Sequence, residues 1–181
     1  MGNFDLNFWL GVLGGAVLVV GSAWPLEKVK HPAKSVKNWL FALGALLLFS
    51  YSLLNYLDGR GEVFFVFLEF LAIVASVLMM IGSDDKVDNP IIAFVGLILV
   101  GWSLYLFEDY TTILIVLGIV AIALGYVMDA ATLKRNLALF LGGILISVFS
   151  YLVKDWIFFW LNAFFAAFSS YYSWKLAFKK K

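Results

Sequence analysis

The stretch VFFVFLEFLAIVASVLMMIG, residues 63–82, contains a single ionisable side chain, Glu69, among apolar and small residues. An α-helix needs about 20 mainly apolar residues to cross the hydrocarbon core of a bilayer. The apolar residues follow one another without alternation, which disfavours a strand of a membrane barrel. The stretch therefore predicts a transmembrane helix.

Six further segments share this apolar character. They are residues 7–24, 38–57, 90–107, 112–128, 137–153 and 156–178. Helices satisfy their own backbone hydrogen bonds in lipid, whereas open strands do not. The connections are short, so we expect an all-α integral membrane protein with seven transmembrane helices and a single domain over residues 1–181.

The composition supports the same class and excludes others. Charged residues make up only 14% of the chain, against about a quarter in soluble domains, so the surplus apolar surface must face a lipid bilayer. Cysteine is absent from the sequence, which excludes disulfides and thiolate metal sites. No phosphate-binding loop, metalloprotease motif or nucleophile elbow is present. We therefore predict no enzyme activity, cofactor, metal or nucleic-acid partner.

The distribution of basic residues predicts the orientation of the chain in an inner membrane. Arg60 and Lys154 fall on one side, and the remaining eleven basic residues fall on the other. These eleven are Lys28, Lys30, Lys34, Lys37, Lys86, Lys134, Arg135, Lys175, Lys179, Lys180 and Lys181. Because basic loops stay in the cytoplasm, the C-terminus is predicted inside and the N-terminus outside.

The outer loops are acidic in this orientation. Their acids are Asp5, Asp58, Glu62, Glu108, Asp109 and Asp155. This acidity either attracts a cationic solute or only reflects the scarcity of basic residues on that side.

The helices show an internal repeat of one leading helix followed by three hairpins. The repeated residues are Asn38, Phe41, Gly44, Ser52 and Asp58; Asn89, Phe94, Gly96, Ser103 and Asp109; and Asn136, Phe140, Gly143, Ser150 and Asp155. A shift of four helices, pairing helices 1–3 with helices 5–7, fits as well. Both registers superpose the third helix on the seventh. Repeats of this kind are common in transporters.

Glu69 and Asn162 occupy equivalent positions in the third and seventh helices. Ser76 and Ser169 follow each of them by seven residues, two turns further along the same face. An intramembrane carboxyl group usually faces the protein interior and serves a function. Glu69 is therefore either a contact for a substrate, proton or cation, or a hydrogen-bonded group that locks two helices together. Asn162 likewise suits a solute or an interhelical bond.

Ser52, Ser103 and Ser150 recur at matching repeat positions and are predicted to line the approach to this site. Trp102 is a further candidate, although Trp and Tyr also collect at membrane interfaces in any membrane protein. In the first helix, Gly11 and Gly15 form a G-x-x-x-G pair. Such a pair favours close packing against a helix of the same chain, a second protomer or another membrane protein.

The architecture resembles the SWEET and PQ-loop superfamily of seven-helix membrane proteins, which includes nicotinamide-riboside-type transporters and small bacterial inner-membrane proteins. In its sugar-transporting branch, polar residues on helices three and seven lie beside the substrate. The matching positions here are Glu69 and Asn162. The resemblance also implies pocket walls from helices two and six, where this chain has Ser52 and Ser150.

Two functions fit these observations. The first is a small-solute transporter or binding protein, with a site between helices near the outer leaflet around Glu69 and Asn162. The second is a non-transporting accessory or scaffold subunit that packs against a larger complex. The abundance of Phe, with 18 residues, favours the second.

Overall fold

The computed structural model describes residues 6–24, 31–82, 84–128 and 132–178, and regular structure within these ranges is entirely helical. The elements are α1 (Leu6–Ala23), a 3-10 helix (Pro32–Lys34), α2 (Val36–Leu57), α3 (Val63–Ile81), α4 (Asp85–Tyr105), α5 (Thr111–Val127), α6 (Leu133–Leu152) and α7 (Trp156–Phe178). The predicted all-α fold with seven helices is confirmed for this part of the chain. Some residues used in the sequence analysis lie outside the described ranges. They are the basic residues Lys28, Lys30 and 179–181, used for the predicted orientation, and the outer acid Asp5.

Five of these helices are long and apolar enough to cross a membrane. They are α1, α2, α3, α4 over Lys86–Tyr105, and α6. Of the other two, α5 is apolar but has only 17 residues. In α7, Trp, Tyr, Ser and Asn are interspersed among the apolar residues.

Three helices begin two or more residues earlier than the apolar pattern predicts, at residues 36, 85 and 133 rather than 38, 90 and 137. Each is preceded by a residue whose side-chain oxygen accepts a hydrogen bond from a backbone N–H two or three positions on. These residues are Ser35, Asp84 and Thr132. Such caps satisfy N–H groups of the first turn, so each helix extends into the polar residues before its apolar core.

The chain divides into two compact units, Met1–Ser83 and Asp84–Lys181. In the first unit, α2 packs against both α1 and α3. In the second unit, α5 packs against α4 and α6, and α6 also packs against α7. Each unit is therefore built from neighbours in sequence, as short connections between antiparallel helices require.

Glycine brings α1 and α2 together in the first unit. A Cβ atom added at Gly14 would lie 3.0 Å from the backbone nitrogen of Leu48, and one added at Gly44 would lie 3.0 Å from that of Leu18. Because these neighbours are backbone atoms, rotation of a side chain would not relieve the contact. The two helices approach this closely because small residues face each other.

Gly82 ends α3 in the left-handed conformation, with a φ of 68°. Its N–H donates to the carbonyl of Leu78 at 3.1 Å. An added Cβ would lie 2.8 Å from Cγ of Pro32. Only glycine satisfies both conditions without strain, and the short 3-10 helix consequently packs beside the end of α3.

Candidate functional site

Glu69 lies on α3, six residues after Val63 and thus about 9 Å along the helix axis. Only 2% of its surface is exposed. Its Oε2 atom is buried and has no hydrogen-bond partner within the described part of the chain. Buried polar groups are nearly always hydrogen-bonded. Within the described residues, Glu69 shares this unpaired condition only with Arg135 Nε and Ser173 Oγ.

Buried aromatic and hydroxyl groups lie along the Glu69 face of α3 and on the neighbouring helix α2. On α3, the fully buried Phe65 and the buried Ser76 share a face with Glu69, at i−4 and i+7. On α2, Tyr51 and Ser52 are buried, and Tyr51 lies six residues before the end of its helix. Since α2 and α3 are antiparallel neighbours, Tyr51 and Glu69 lie at the same depth below the connecting loop.

The pairing of α2 with α3 is fixed at two points near this level. The rings of Phe49 and Phe70 lie 6.4 Å apart. At the loop, a Cβ added to Gly61 would lie 2.9 Å from Cβ of Asn55. We refer to Glu69, Phe65, Ser76, Tyr51 and Ser52 together as the first polar cluster.

Asn162 lies on α7 in the second unit and is 5% exposed. Unlike Glu69, it is partnered: its Nδ2 donates to the carbonyl oxygen of Phe158 at 2.8 Å. An added Cβ at Gly143 would lie 3.2 Å from the carbonyl oxygen of Asn162 and 3.2 Å from the nitrogen of Ala166. Gly143 thus allows α6 to approach the backbone of α7 at the level of Asn162.

Ser169 continues the buried polar face of α7 toward its C-terminus, followed by Ser173. Oγ of Ser173 is buried and, among the described residues, has no hydrogen-bond partner. The face therefore carries one amide and two hydroxyl groups and no charge. The buried face of α3 differs in carrying a carboxyl group, that of Glu69.

Three predicted lining serines bond to their own helices. The Oγ atom of Ser52 donates to Phe49 at 3.0 Å, that of Ser103 to Leu99 at 2.8 Å, and that of Ser150 to Ile146 at 2.7 Å. Ser103 and Ser150 are fully buried. A hydroxyl satisfied by its own helix can lie among apolar neighbours, so their burial needs no ligand to explain it.

Trp102 and the predicted glycine pair occupy different surroundings from these serines. Trp102 is 57% exposed, which is typical of a residue at a membrane interface. Gly11 is buried, whereas an added Cβ at Gly15 would meet nothing within 4 Å. On α1, Gly14 and Gly21 both lie against residues of α2.

Several acids in the loops have structural partners. Asp58 forms an ion pair with Arg60 at 2.6 Å, and Asp155 accepts the backbone N–H of Phe158 at 3.1 Å. Asp109 accepts the Thr111 hydroxyl at 2.5 Å and the Thr111 N–H at 2.7 Å. These two bonds lower the pKa of Asp109, the hydroxyl having the larger effect. Helix capping and local pairing thus explain much of this acidity.

The structure adds two polar contacts that were not predicted. Asn7 Nδ2 donates to Asn55 Oδ1 at 3.3 Å, which links α1 to α2. Ser147 Oγ donates to the carbonyl of Phe159 at 3.2 Å, which links α6 to α7. The spacing of Asn7 from Gly14 by seven residues was a signal, because it places both on one helix face.

The described residues contain no group of three or more His, Cys, Asp or Glu side chains that could hold a metal ion. No family model, no curated protein and no solved structure matches this chain.

Proposed function

We propose that this chain is a transporter or binding protein for a small polar solute in the cell membrane, with Glu69 of the first unit as a solute contact. The observation that carries the proposal is the unpaired carboxyl oxygen of Glu69. Placing an acid near the centre of a membrane helix costs about 2.5–3.5 kcal/mol on insertion scales. A carboxyl group retained there with one oxygen unpartnered among the described residues is suited to a ligand that binds and leaves.

The proposal includes seven membrane crossings, with the N-terminus outside and the C-terminus in the cytoplasm of a bacterial-type inner membrane. The five long apolar helices support it. We include α5 and α7 because short antiparallel connections tie each of them to a neighbouring long helix. A cysteine introduced at position 60 should react with an impermeant maleimide in intact cells, and one at position 134 should not.

We further propose that α5–α7 duplicate α1–α3, with α4 between the two copies in the sequence. The support is a matching set of glycine contacts, in which an added Cβ would press on an aliphatic side chain of the partner helix. The contacts are Gly14 with Leu48, Gly44 with Leu18, Gly118 with Ile146, and Gly142 with Ile122. In this register Glu69 is equivalent to Asn162, Ser76 to Ser169 and Ser52 to Ser150.

The direct test is a Glu69→Gln variant of the full chain, which retains the shape of the side chain and removes its charge. It should fold and reach the membrane at the wild-type level while losing uptake or ligand affinity. Glu108→Gln is the matched control, because it removes an exposed acid. Unchanged uptake and affinity in the Glu69→Gln variant would contradict the proposal.

The alternative function is an accessory or scaffold subunit of a larger membrane complex. The self-bonded hydroxyl groups of Ser52, Ser103 and Ser150 favour it, because they make a solute unnecessary at those positions. The open space beside Gly15 also leaves room for a partner helix. In this case a Gly15→Leu variant should lose co-purification with the complex, while Glu69→Gln should leave function intact.

A further inference from the structure

We infer that the first polar cluster recognises a cationic solute that carries an ammonium group. The inference rests on the proposed function and specifies its substrate class. Its basis is the combination of one unpaired carboxyl oxygen with buried aromatic rings at the same level of the first unit.

The unpaired Oε2 atom of Glu69 requires a hydrogen-bond donor. A proton on Oε2 would turn this acceptor into a donor, which would in turn need an acceptor. Leaving either one buried costs free energy. A ligand that brings its own N–H groups or positive charge satisfies the oxygen and compensates for the burial of the carboxylate.

The aromatic residues favour an organic cation over a metal ion. Phe65 lies one helical turn from Glu69, and Tyr51 lies at the same depth on α2; both are buried. Aromatic faces attract ammonium groups, and the attraction grows when water is excluded. Metal ions such as Ca²⁺ instead require several oxygen ligands. The described residues contain no group of three His, Cys, Asp or Glu side chains that could hold a metal ion.

The equivalent position in the second unit supports the assignment by contrast. Asn162 is uncharged, and its amide donates to Phe158. An amide held in this way can orient a solute by hydrogen bonding but offers no charge to attract a cation. Within the proposed duplication, selection for positive charge is therefore the property of Glu69.

The test measures the binding of matched pairs of charged and uncharged ligands to the purified full chain in lipid nanodiscs. One pair is choline and its uncharged isostere 3,3-dimethylbutan-1-ol, and a second is benzylamine and benzyl alcohol. We expect the wild-type chain to prefer the cation of at least one pair by about tenfold or more, as a desolvated ion pair with cation–π contacts would give.

Three variants complete the experiment. Glu69→Gln should abolish the preference, whereas Glu69→Asp should retain it because the charge is kept; this second variant also serves if the first fails to fold. Glu108→Gln should behave as wild type. Equal or stronger binding of the uncharged members by the wild-type chain overturns the inference and leaves the proposed function standing. Failure of the wild-type chain to bind any of the four ligands also overturns the inference. The proposed function is tested separately, because unchanged solute uptake in the Glu69→Gln variant would contradict it.

Discussion

Replacing Glu69 by Met should make the protein more stable while removing its function. Met has a similar length, and a volume-conserving exchange in a packed interior costs less than about 1.5 kcal/mol. An unsatisfied buried polar group costs about 1–3 kcal/mol, and the Oε2 atom of Glu69 is such a group among the described residues. We expect a net gain of about 1–2 kcal/mol in the free energy of unfolding.

The assay is reversible unfolding in mixed detergent micelles, with wild-type and variant chains compared under identical conditions. A gain of 1 kcal/mol corresponds to about 2–4 °C in melting temperature for a chain of this size. Asn162→Leu is the matched control, because this amide is also buried but already has a hydrogen-bond partner at 2.8 Å. Loss of this hydrogen bond within α7 should destabilise the chain by about 0.5–1.5 kcal/mol.

If Glu69→Met raises the free energy of unfolding and Asn162→Leu lowers it, the carboxyl group of Glu69 is kept at the expense of stability, as functional groups often are. A Glu69→Met variant that is less stable than wild type by 1 kcal/mol or more would refute the reasoning. That result would mean that the carboxyl group holds two helices together.

Three further predictions concern packing and capping. Gly143→Ala should destabilise the second unit by about 1–3 kcal/mol, because its Cβ would press on backbone atoms. Gly15→Ala is the control, since its Cβ would lie in open space, and it should change stability by less than about 0.5 kcal/mol. Equal effects of the two variants in unfolding titrations would contradict this prediction. Gly82→Ala should cost about 1–2 kcal/mol, since only glycine adopts a φ of 68° without strain, and an unchanged melting temperature would oppose it. The lowered pKa of Asp109 means that its bonds to Thr111 stabilise the fold fully above the unfolded pKa of about 3.9 and progressively less as the pH falls through the lower folded value. The stability difference between wild type and Asp109→Ala should therefore shrink between pH 6 and pH 2, and a constant difference would refute the capping role.

The helices were predictable because a continuous apolar run has few alternatives to a helix in lipid. The bounds of α3 and α7 agree with the prediction to within one residue. The early starts of α2, α4 and α6 were missed because hydropathy alone does not report capping. Ser35, Asp84 and Thr132 nonetheless carried that signal in the sequence.

The candidate site was predictable only in part. The burial of Glu69 and Asn162 follows from the cost of polar groups in lipid, and the structure agrees for both residues. Which groups remain unpaired could not be read from residue types, because a serine or an amide can bond to its own helix. The bonds of Ser52, Ser103, Ser150 and Asn162 are of this kind.

The sequence by itself determined the helical class and the depth of Glu69, since both follow from where polar residues interrupt apolar runs. Tertiary structure decided which faces meet. Gly14 and Gly21 bring α1 against α2, whereas an added Cβ at Gly15, one member of the predicted G-x-x-x-G pair, would meet nothing within 4 Å. The physical reason is that close packing depends on the shape of both partners, and a motif on one helix does not specify the side chains of the other.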